Sequence, residues 1–153
     1  MAKSETPKPR RTPKLPKDVQ AAVDAALDKK AIDLVVLDLH KAGAFTDYFI
    51  ICTGQNARQV QAIADAVETT LKARKVRPSH VEGYDRAEWV LVDYFDFIVH
   101  VFTPGARNFY SLERLWGDAV RIEFTEGAPP VTTRARTTKA KAKAPLDDDD
   151  DGN

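Results

Sequence analysis

WVLVDYFDFIVHVF, residues Trp89–Phe102, is the stretch that decides the fold of this 153-residue chain. Its β-branched and aromatic residues favour strands, and two aspartates interrupt it in the middle. The pattern predicts two antiparallel strands, Trp89–Asp93 and Asp96–Phe102, joined by a tight turn at Tyr94–Phe95. Both faces of the pair are mostly apolar, which is typical of strands that are covered on two sides.

A two-residue turn at this place also predicts the register of the two strands. Asp93 then lies opposite Asp96, and Trp89 lies opposite His100. Neither turn residue is Gly or Asn, so a longer loop would shift this pairing. Because side chains alternate along a strand, one face carries Trp89, Leu91, Ile98, His100 and Phe102, and the other carries Val90, Val92, Phe97, Val99 and Val101.

Three helices and three more strands are predicted outside this hairpin. Asp18 and Asn56 are suited to cap the first two helices, and Pro78 ends the second. The helices run over about 18–30, 56–77 and 108–116, and the strands over 32–39, 47–53 and 119–124. Two connections between strands are too short for a crossover helix. The fold class is therefore α/β of the α+β kind, one domain with a mixed five-stranded sheet and helices mainly on one face.

The two ends of the chain differ in composition from its middle. Residues 1–17 hold four of the nine prolines and six basic residues, and residues 126–153 end in the acidic run Asp147–Asp151. Such segments bury too little apolar surface to offset their ordering entropy. We expect a disordered basic tail over 1–17, a folded domain over 18–125, and a disordered tail with an acidic end over 126–153.

The net charge of zero is an average over these unlike parts. Without the two ends, which hold 11 basic and 7 acidic residues, the 23 and 23 of the whole chain become 12 and 16, a net charge of −4. A body of this sign is poorly suited to grip a phosphate backbone and suits a basic protein partner. The alternative is that the charge only keeps the domain soluble.

Three helices cover one face of a five-stranded sheet and little more. Trp89, Leu91, Ile98 and Tyr48 would then remain on the far face. An uncovered apolar patch of this kind usually marks an interface, with a second copy of the chain or with another protein.

The residues offer little for catalysis. His40, His80, His100 and the single Cys52 share no metal-ligand spacing, and Cys52 sits within an apolar strand as an inert thiol would. We expect no metal, no cofactor and no catalytic residue. Asp93 and Asp96 could form a carboxylate pair for nucleotidyl chemistry, although acids beside a tight turn are more often turn residues.

A set of dispersed motifs resembles the ribosomal silencing factor family, also called Iojap-like. These motifs are Asp47–Gly54, Arg58, Glu82–Gly83, Ala87–Trp89, Val92–Asp93, Val99–Phe102 and Tyr110–Trp116. Their order and spacing match from about Val19 to Trp116, and neither tail is covered. One departure is Phe95, where many members carry Gly.

The resemblance implies a non-enzymatic protein with a nucleotidyltransferase-like fold. Family members bind the universal large-subunit protein that is fourteenth in the naming series, block small-subunit association and repress translation when nutrients are scarce. Transferases of that fold use a Gly-Ser turn and paired acids, whereas this chain has Thr53–Gly54–Gln55 and no matching Asp-x-Asp. A degenerate nucleotide-binding protein is the alternative function.

The resemblance and the apolar far face together predict a protein-binding site. Trp89 would be its apolar anchor, with Asp93 as a polar contact or turn stabiliser; the full set is Trp89, Leu91, Asp93, Ile98, His100 and Tyr110. With one cysteine and no long apolar segment, the chain is expected to be cytoplasmic and not bound to a membrane. A homodimer and a weak contact of the basic tails with ribosomal RNA stay open.

Overall fold

A mixed sheet of seven strands forms the centre of the molecule, in a computed structural model that describes residues 14–125 and 129–134. The strands are β1 (Ile32–Asp38), β2 (Tyr48–Thr53), β3 (His80–Glu82), β4 (Trp89–Asp93), β5 (Phe97–Phe102), β6 (Val120–Phe124) and β7 (Val131–Arg134). The helices are α1 (Lys17–Asp28), α2 (Ala57–Ala73), α3 (Pro104–Tyr110) and α4 (Leu112–Leu115).

The strand order is β3-β4-β5-β2-β1-β6-β7. Only β2 and β5 pair in parallel, and every other neighbouring pair among the described strands is antiparallel. The α+β class and the mixed sheet are confirmed, while the count of five strands is wrong. The two additional strands, β3 and β7, hold three and four residues at the two edges. Strands this short give too little periodicity to be found in a sequence.

The hairpin of β4 and β5 is present, but its register differs from the prediction by two residues. Trp89 pairs with Phe102 rather than His100, and Asp93 pairs with Ile98 rather than Asp96. The turn lies one residue later, at Phe95–Asp96, and the N–H of Asp96 donates to the carbonyl of Tyr94 at 2.8 Å. An even shift leaves every side chain on its predicted face, so the division into two faces is confirmed.

α1 and α2 cover one face of the sheet. Their apolar stripes pack with Ile50, Cys52, Val90 and Val99, among others. Asn56 caps α2 as predicted, because its Oδ1 accepts the N–H of Gln59 at 2.9 Å. Asp18 is not a cap, however: α1 begins one residue earlier, after Pro16. The Asp18 carboxylate instead accepts a hydrogen bond at 2.8 Å from Nε of Arg74, the residue that follows α2.

The far face carries a second apolar cluster, which α3, α4 and the β1–β2 connection cover in part. Its buried members are Val35, Leu37, Leu39, Phe49, Ile51, Ile98, Phe102 and Ala119, and Trp89, Leu91, Leu112 and Trp116 pack on them half-buried. Tyr48 belongs to the helix-covered cluster, not to the far face, since it alternates with Phe49 along β2.

The predicted third helix over 108–116 is wrong in its start and its continuity. Pro104 occupies the first turn of α3, where its fixed φ and missing N–H are favourable, so the helix begins four residues early. Ser111 has a left-handed φ of 47° and separates α3 from α4. This break leaves Phe109 and Leu115 exposed, although a continuous helix would have placed both in its apolar stripe.

The described residues extend past both predicted domain limits. Leu15 packs against the helix-covered cluster, and β7 lies within the segment predicted as a disordered tail. The remainder of the two predicted tails, with the acidic run Asp147–Asp151, lies outside the described residues. No helix within 14–125 or 129–134 is long and apolar enough to cross a membrane.

Candidate protein-binding surface

Trp89 is half-buried at the start of β4 and is held between aromatic rings. Its indole stacks on Phe102 with ring centroids 5.1 Å apart, and Tyr110 of α3 lies 4.6 Å away on a tilted plane. Tyr110 is 46% exposed, and Phe109 beside it is 80% exposed. We call Trp89, Leu91, Phe109 and Tyr110 the Trp89 surface, because they are the accessible part of the far face next to α3.

His100 supports this surface from below. Its Nδ1 accepts the indole N–H of Trp89 at 3.0 Å, so the proton of the neutral ring is on Nε2. Nε2 is buried without a hydrogen-bond partner among the described residues. Burial lowers the pKa of His100 from 6.5 to about 3, so the ring is neutral at physiological pH. His100 therefore holds the indole of Trp89 in place by accepting its hydrogen bond, and the imidazole carries no charge.

The predicted binding residues occupy two depths. Ile98 and His100 are both 3% exposed, so they lie beneath the surface and cannot contact a partner without rearrangement. Trp89 and Leu91 are half-buried, and Tyr110 is exposed. Only these last three combine accessibility with apolar area. Phe109 was missed in the sequence, because its exposure depends on the left-handed Ser111 that ends α3.

Asp93 lies at the other end of β4 and stabilises the hairpin turn. Its Oδ1 accepts the N–H of Phe95 at 2.7 Å. Phe95 has a φ of 74° and its ring is 77% exposed. Such a φ is unfavourable for a bulky residue, so the carboxylate of Asp93 helps to hold a turn that glycine would adopt without strain.

Arg107 of α3 connects this helix to three other elements, and no feature of the sequence pointed to it. Its Nε and Nη2 donate to the two carboxylate oxygens of Glu113 at 3.1 and 3.0 Å. Its Nη1 donates to the carbonyl of Asp33 at 2.6 Å and to Thr53 Oγ1 at 3.0 Å. Arg121 of β6 reaches the same Glu113 at 2.8 Å. We call Arg107, Glu113 and Arg121 the clamp.

The clamp sets the ionisation of Glu113. Burial acts to raise the pKa of this carboxyl, but the hydrogen bond from Arg107 and the charges of Arg107 and Arg121 outweigh it. The pKa of Glu113 is therefore held below its ordinary value.

A cleft of about 760 Å³ lies beside the clamp, between α3 and the ends of β1 and β6. Two of its basic side chains face carboxylates, since Arg107 and Arg121 share Glu113 and Arg121 also bonds Glu123 at 2.8 Å. Within 14–125 and 129–134, no group of three or more His, Cys, Asp or Glu is placed to hold a metal ion. Cys52 is fully buried, as predicted, and burial raises the pKa of its thiol to about 12.

Comparison with known proteins identifies the family. The family model described as "ribosomal silencing factor during starvation" matches residues 12–151. The chain belongs to the ribosomal silencing factor family. A ribosomal silencing factor of Bacillus subtilis is 43% identical over 109 residues, which are 71% of this chain and 92% of the relative.

Further relatives of the family agree in sequence and in fold. A crystal structure of a Chromobacterium violaceum protein matches with a TM-score of 0.64 and 39% identity, over 66% of this chain and 84% of that one. A mouse protein named "mitochondrial assembly of ribosomal large subunit protein 1" is 29% identical over 102 residues, which are 65% of this chain and 45% of the relative.

The family motifs in this chain have identifiable structural roles. Glycine is required at Gly83, which has a φ of 80°, because a Cβ there would lie 2.1 Å from the carbonyl oxygen of Trp89. At Gly54, a Cβ would lie 2.9 Å from the backbone nitrogen of Val60. The motif Tyr110–Trp116 contains the Ser111 break and Glu113 of the clamp. Gly83 and Tyr110 of these motifs therefore lie against Trp89, and Glu113 pairs with Arg107 of α3.

Proposed function

We propose that this protein binds the large ribosomal subunit through the Trp89 surface and thereby prevents the small subunit from joining. The partner on the large subunit is the universal fourteenth protein of its naming series, at the face where the two subunits meet. Translation is repressed because a subunit covered in this way cannot form a ribosome. The membership in the silencing factor family and the name of the mouse relative support this proposal.

The observation that carries the proposal is the exposed aromatic group at the edge of the far face. Trp89, Phe109 and Tyr110 form a contiguous set of rings, with centroid separations of 4.6 and 5.0 Å. Trp and Tyr are the residues most enriched at the energetic centres of protein interfaces, since they bury much area at little conformational cost.

Charge supports a basic protein as the partner. The body over 18–125 carries a net charge of −4. Next to Trp89, Glu88 has a 62% exposed side chain and forms an ion pair with Arg86 at 3.6 Å. Carboxylates at the rim of an apolar patch accelerate association with a basic protein and disfavour direct contact with RNA phosphates.

Co-sedimentation with purified large subunits tests the proposal. Trp89→Ala removes the central ring, and we expect it to weaken binding by about 2 kcal/mol, roughly thirtyfold, with the domain still folded. Tyr84→Ala is the matched control, because Tyr84 is a half-buried aromatic residue that packs with the helix-covered cluster. Equal binding of Trp89→Ala and the unaltered protein would show that another surface is used.

A further inference from the structure

We propose that Arg107 is the positioning residue of the Trp89 surface: its contacts hold α3 in the orientation that places Tyr110 against Trp89. Arg107 itself is nearly enclosed, with a side chain that is 12% exposed, so it would act through Tyr110 rather than touch a partner. The expected effect on binding rests on the proposed function. The positioning of Tyr110 can be measured on the free protein.

The first argument is the limited burial of α3 and α4. α3 has seven residues, α4 has four, and neither contains a fully buried side chain. Helices this short are not stable by themselves and depend on tertiary contacts. Ala106 and Leu112 contribute only partly buried apolar contacts to the far-face cluster. The orientation of α3 therefore depends strongly on its polar contacts.

The second argument is the geometry of those contacts. Arg107 meets Glu113 with two parallel hydrogen bonds, which fixes the guanidinium plane as well as its distance. Glu113 belongs to α4, so this pair spans the left-handed Ser111 and fixes the angle between the two helices. Arg121 bonds the same carboxylate from β6 and connects it to the sheet.

The third argument is that β1 is shaped to receive Arg107. The β1–β2 pairing is irregular between Ile32 and Val35, and Asp33 within this bulge has a φ of 51°. Its carbonyl accepts Arg107 Nη1 at 2.6 Å. A bulge redirects backbone groups that a regular ladder would pair with a neighbouring strand. The guanidinium is thus fastened to the sheet at Asp33 and at Thr53.

The consequence for Tyr110 follows from helix geometry. Tyr110 is three residues after Arg107, so the two are neighbours on successive turns of α3. Fixing the Arg107 side chain fixes the rotation of the helix about its axis, and with it the direction of the Tyr110 ring. Without the clamp, Tyr110 would leave its position 4.6 Å from Trp89, and the aromatic group would lose its continuity.

Fluorescence of Trp89 tests the positioning in the free protein. The background is Trp116→Phe, which leaves Trp89 as the single tryptophan of the chain. In this background Arg107→Lys, which retains the charge but not the paired hydrogen bonds, should shift Trp89 emission to longer wavelength as Tyr110→Ala does. Arg74→Lys is the matched control, since Arg74 pairs with Asp18 at 2.8 Å on the helix-covered face. Emission unchanged by Arg107→Lys, or shifted equally by Arg74→Lys, would overturn the inference.

Binding of large subunits by the full-length chain tests the link to function. Arg107→Lys and Tyr110→Ala should each weaken binding roughly tenfold, and the double variant should be no weaker than Tyr110→Ala alone. Glu113→Gln should act in the same direction, which guards against a folding defect specific to Arg107→Lys. If the two losses of affinity multiply in the double variant, Arg107 does not act through Tyr110. If the unaltered protein fails to bind large subunits, the proposed function fails, while the fluorescence result still decides the positioning.

Discussion

His100 is a buried histidine whose neutral form is needed to hold Trp89. Its Nδ1 accepts the indole N–H, and its pKa of about 3 means that protonation is strongly disfavoured in the folded protein. In the unfolded chain the ring titrates at its ordinary 6.5. The unfolded state therefore binds more protons than the folded state between these two values, and acid destabilises the fold through this residue.

We expect the free energy of unfolding to fall as pH drops below 6.5, by up to about 1.4 kcal/mol per pH unit from His100. His100→Asn should retain an acceptor near the indole N–H but cannot titrate, so its stability should change less between about pH 7 and about pH 5. Urea unfolding at the two pH values measures this difference. Equal losses in both proteins would mean that another group causes the acid sensitivity.

Phe95 has a backbone conformation that bulky residues rarely adopt. A bulky side chain at a φ of 74° is strained by about 1–2 kcal/mol, and its 77% exposed ring contributes little burial in return. Glycine adopts this φ without strain. It is also more flexible in the unfolded state, which destabilises the folded protein by about 0.5–1 kcal/mol and offsets part of the gain.

Phe95→Gly should therefore stabilise the protein by about 0.5–1 kcal/mol, as measured by urea unfolding. Phe95→Ala removes the same ring but keeps the strained φ, so it should bring no gain. If the glycine variant is no more stable than the alanine variant, the turn is not strained in the way proposed.

At the scale of elements, the sequence predicted what periodicity controls and missed what single backbone angles control. The alternation along β4 and β5 predicted both faces correctly, even though the register was wrong by two residues. The turn position depended on a positive φ at Phe95, a residue type that rarely adopts one. The break at Ser111 has the same origin, and it decides which aromatic residues of the segment 104–116 are exposed.

Only part of the candidate site could be predicted from the sequence. The alternation along the strands predicted Trp89 and Leu91 as site residues, and a family motif pointed to Tyr110. The burial of Ile98 and His100 depends on how far α3 and the β1–β2 connection extend over the far face. Arg107 could not be found, because its partners Asp33, Thr53 and Glu113 come together only through the fold.

The connection between β3 and β4 yields a prediction at this scale. A Cβ at Gly83 would lie 2.1 Å from the carbonyl oxygen of Trp89, and its φ of 80° disfavours any other residue. Gly83→Ala should therefore cost about 3 kcal/mol or more and displace the start of β4. Gly43→Ala is the control, because Gly43 has a similar φ of 74° with nothing within 4 Å, and it should cost about 1 kcal/mol. Thermal or urea unfolding measures both losses of stability. If Gly83→Ala and Gly43→Ala lose similar amounts, backbone strain alone matters at Gly83.

At the scale of the whole molecule, the two faces of the sheet have different roles. α1 and α2 cover one face, and that face supplies most of the buried core. The far face is covered by two short helices and a loop, which leave an aromatic group accessible beside the exposed Glu88. Such a division lets the fold persist while the far face is changed, and it is why substitutions at Trp89 or Tyr110 should affect binding more than stability.

Site-specific photo-crosslinking to purified large subunits tests the central claim most directly. A benzophenone amino acid in place of Tyr110, which is 46% exposed, samples the Trp89 surface, and the same group in place of Tyr84 samples the helix-covered side. We predict crosslinks from position 110 to the universal fourteenth protein of the large subunit and none to it from position 84. Crosslinks to that protein from position 84 alone, or crosslinks from position 110 only to other components, would contradict the account.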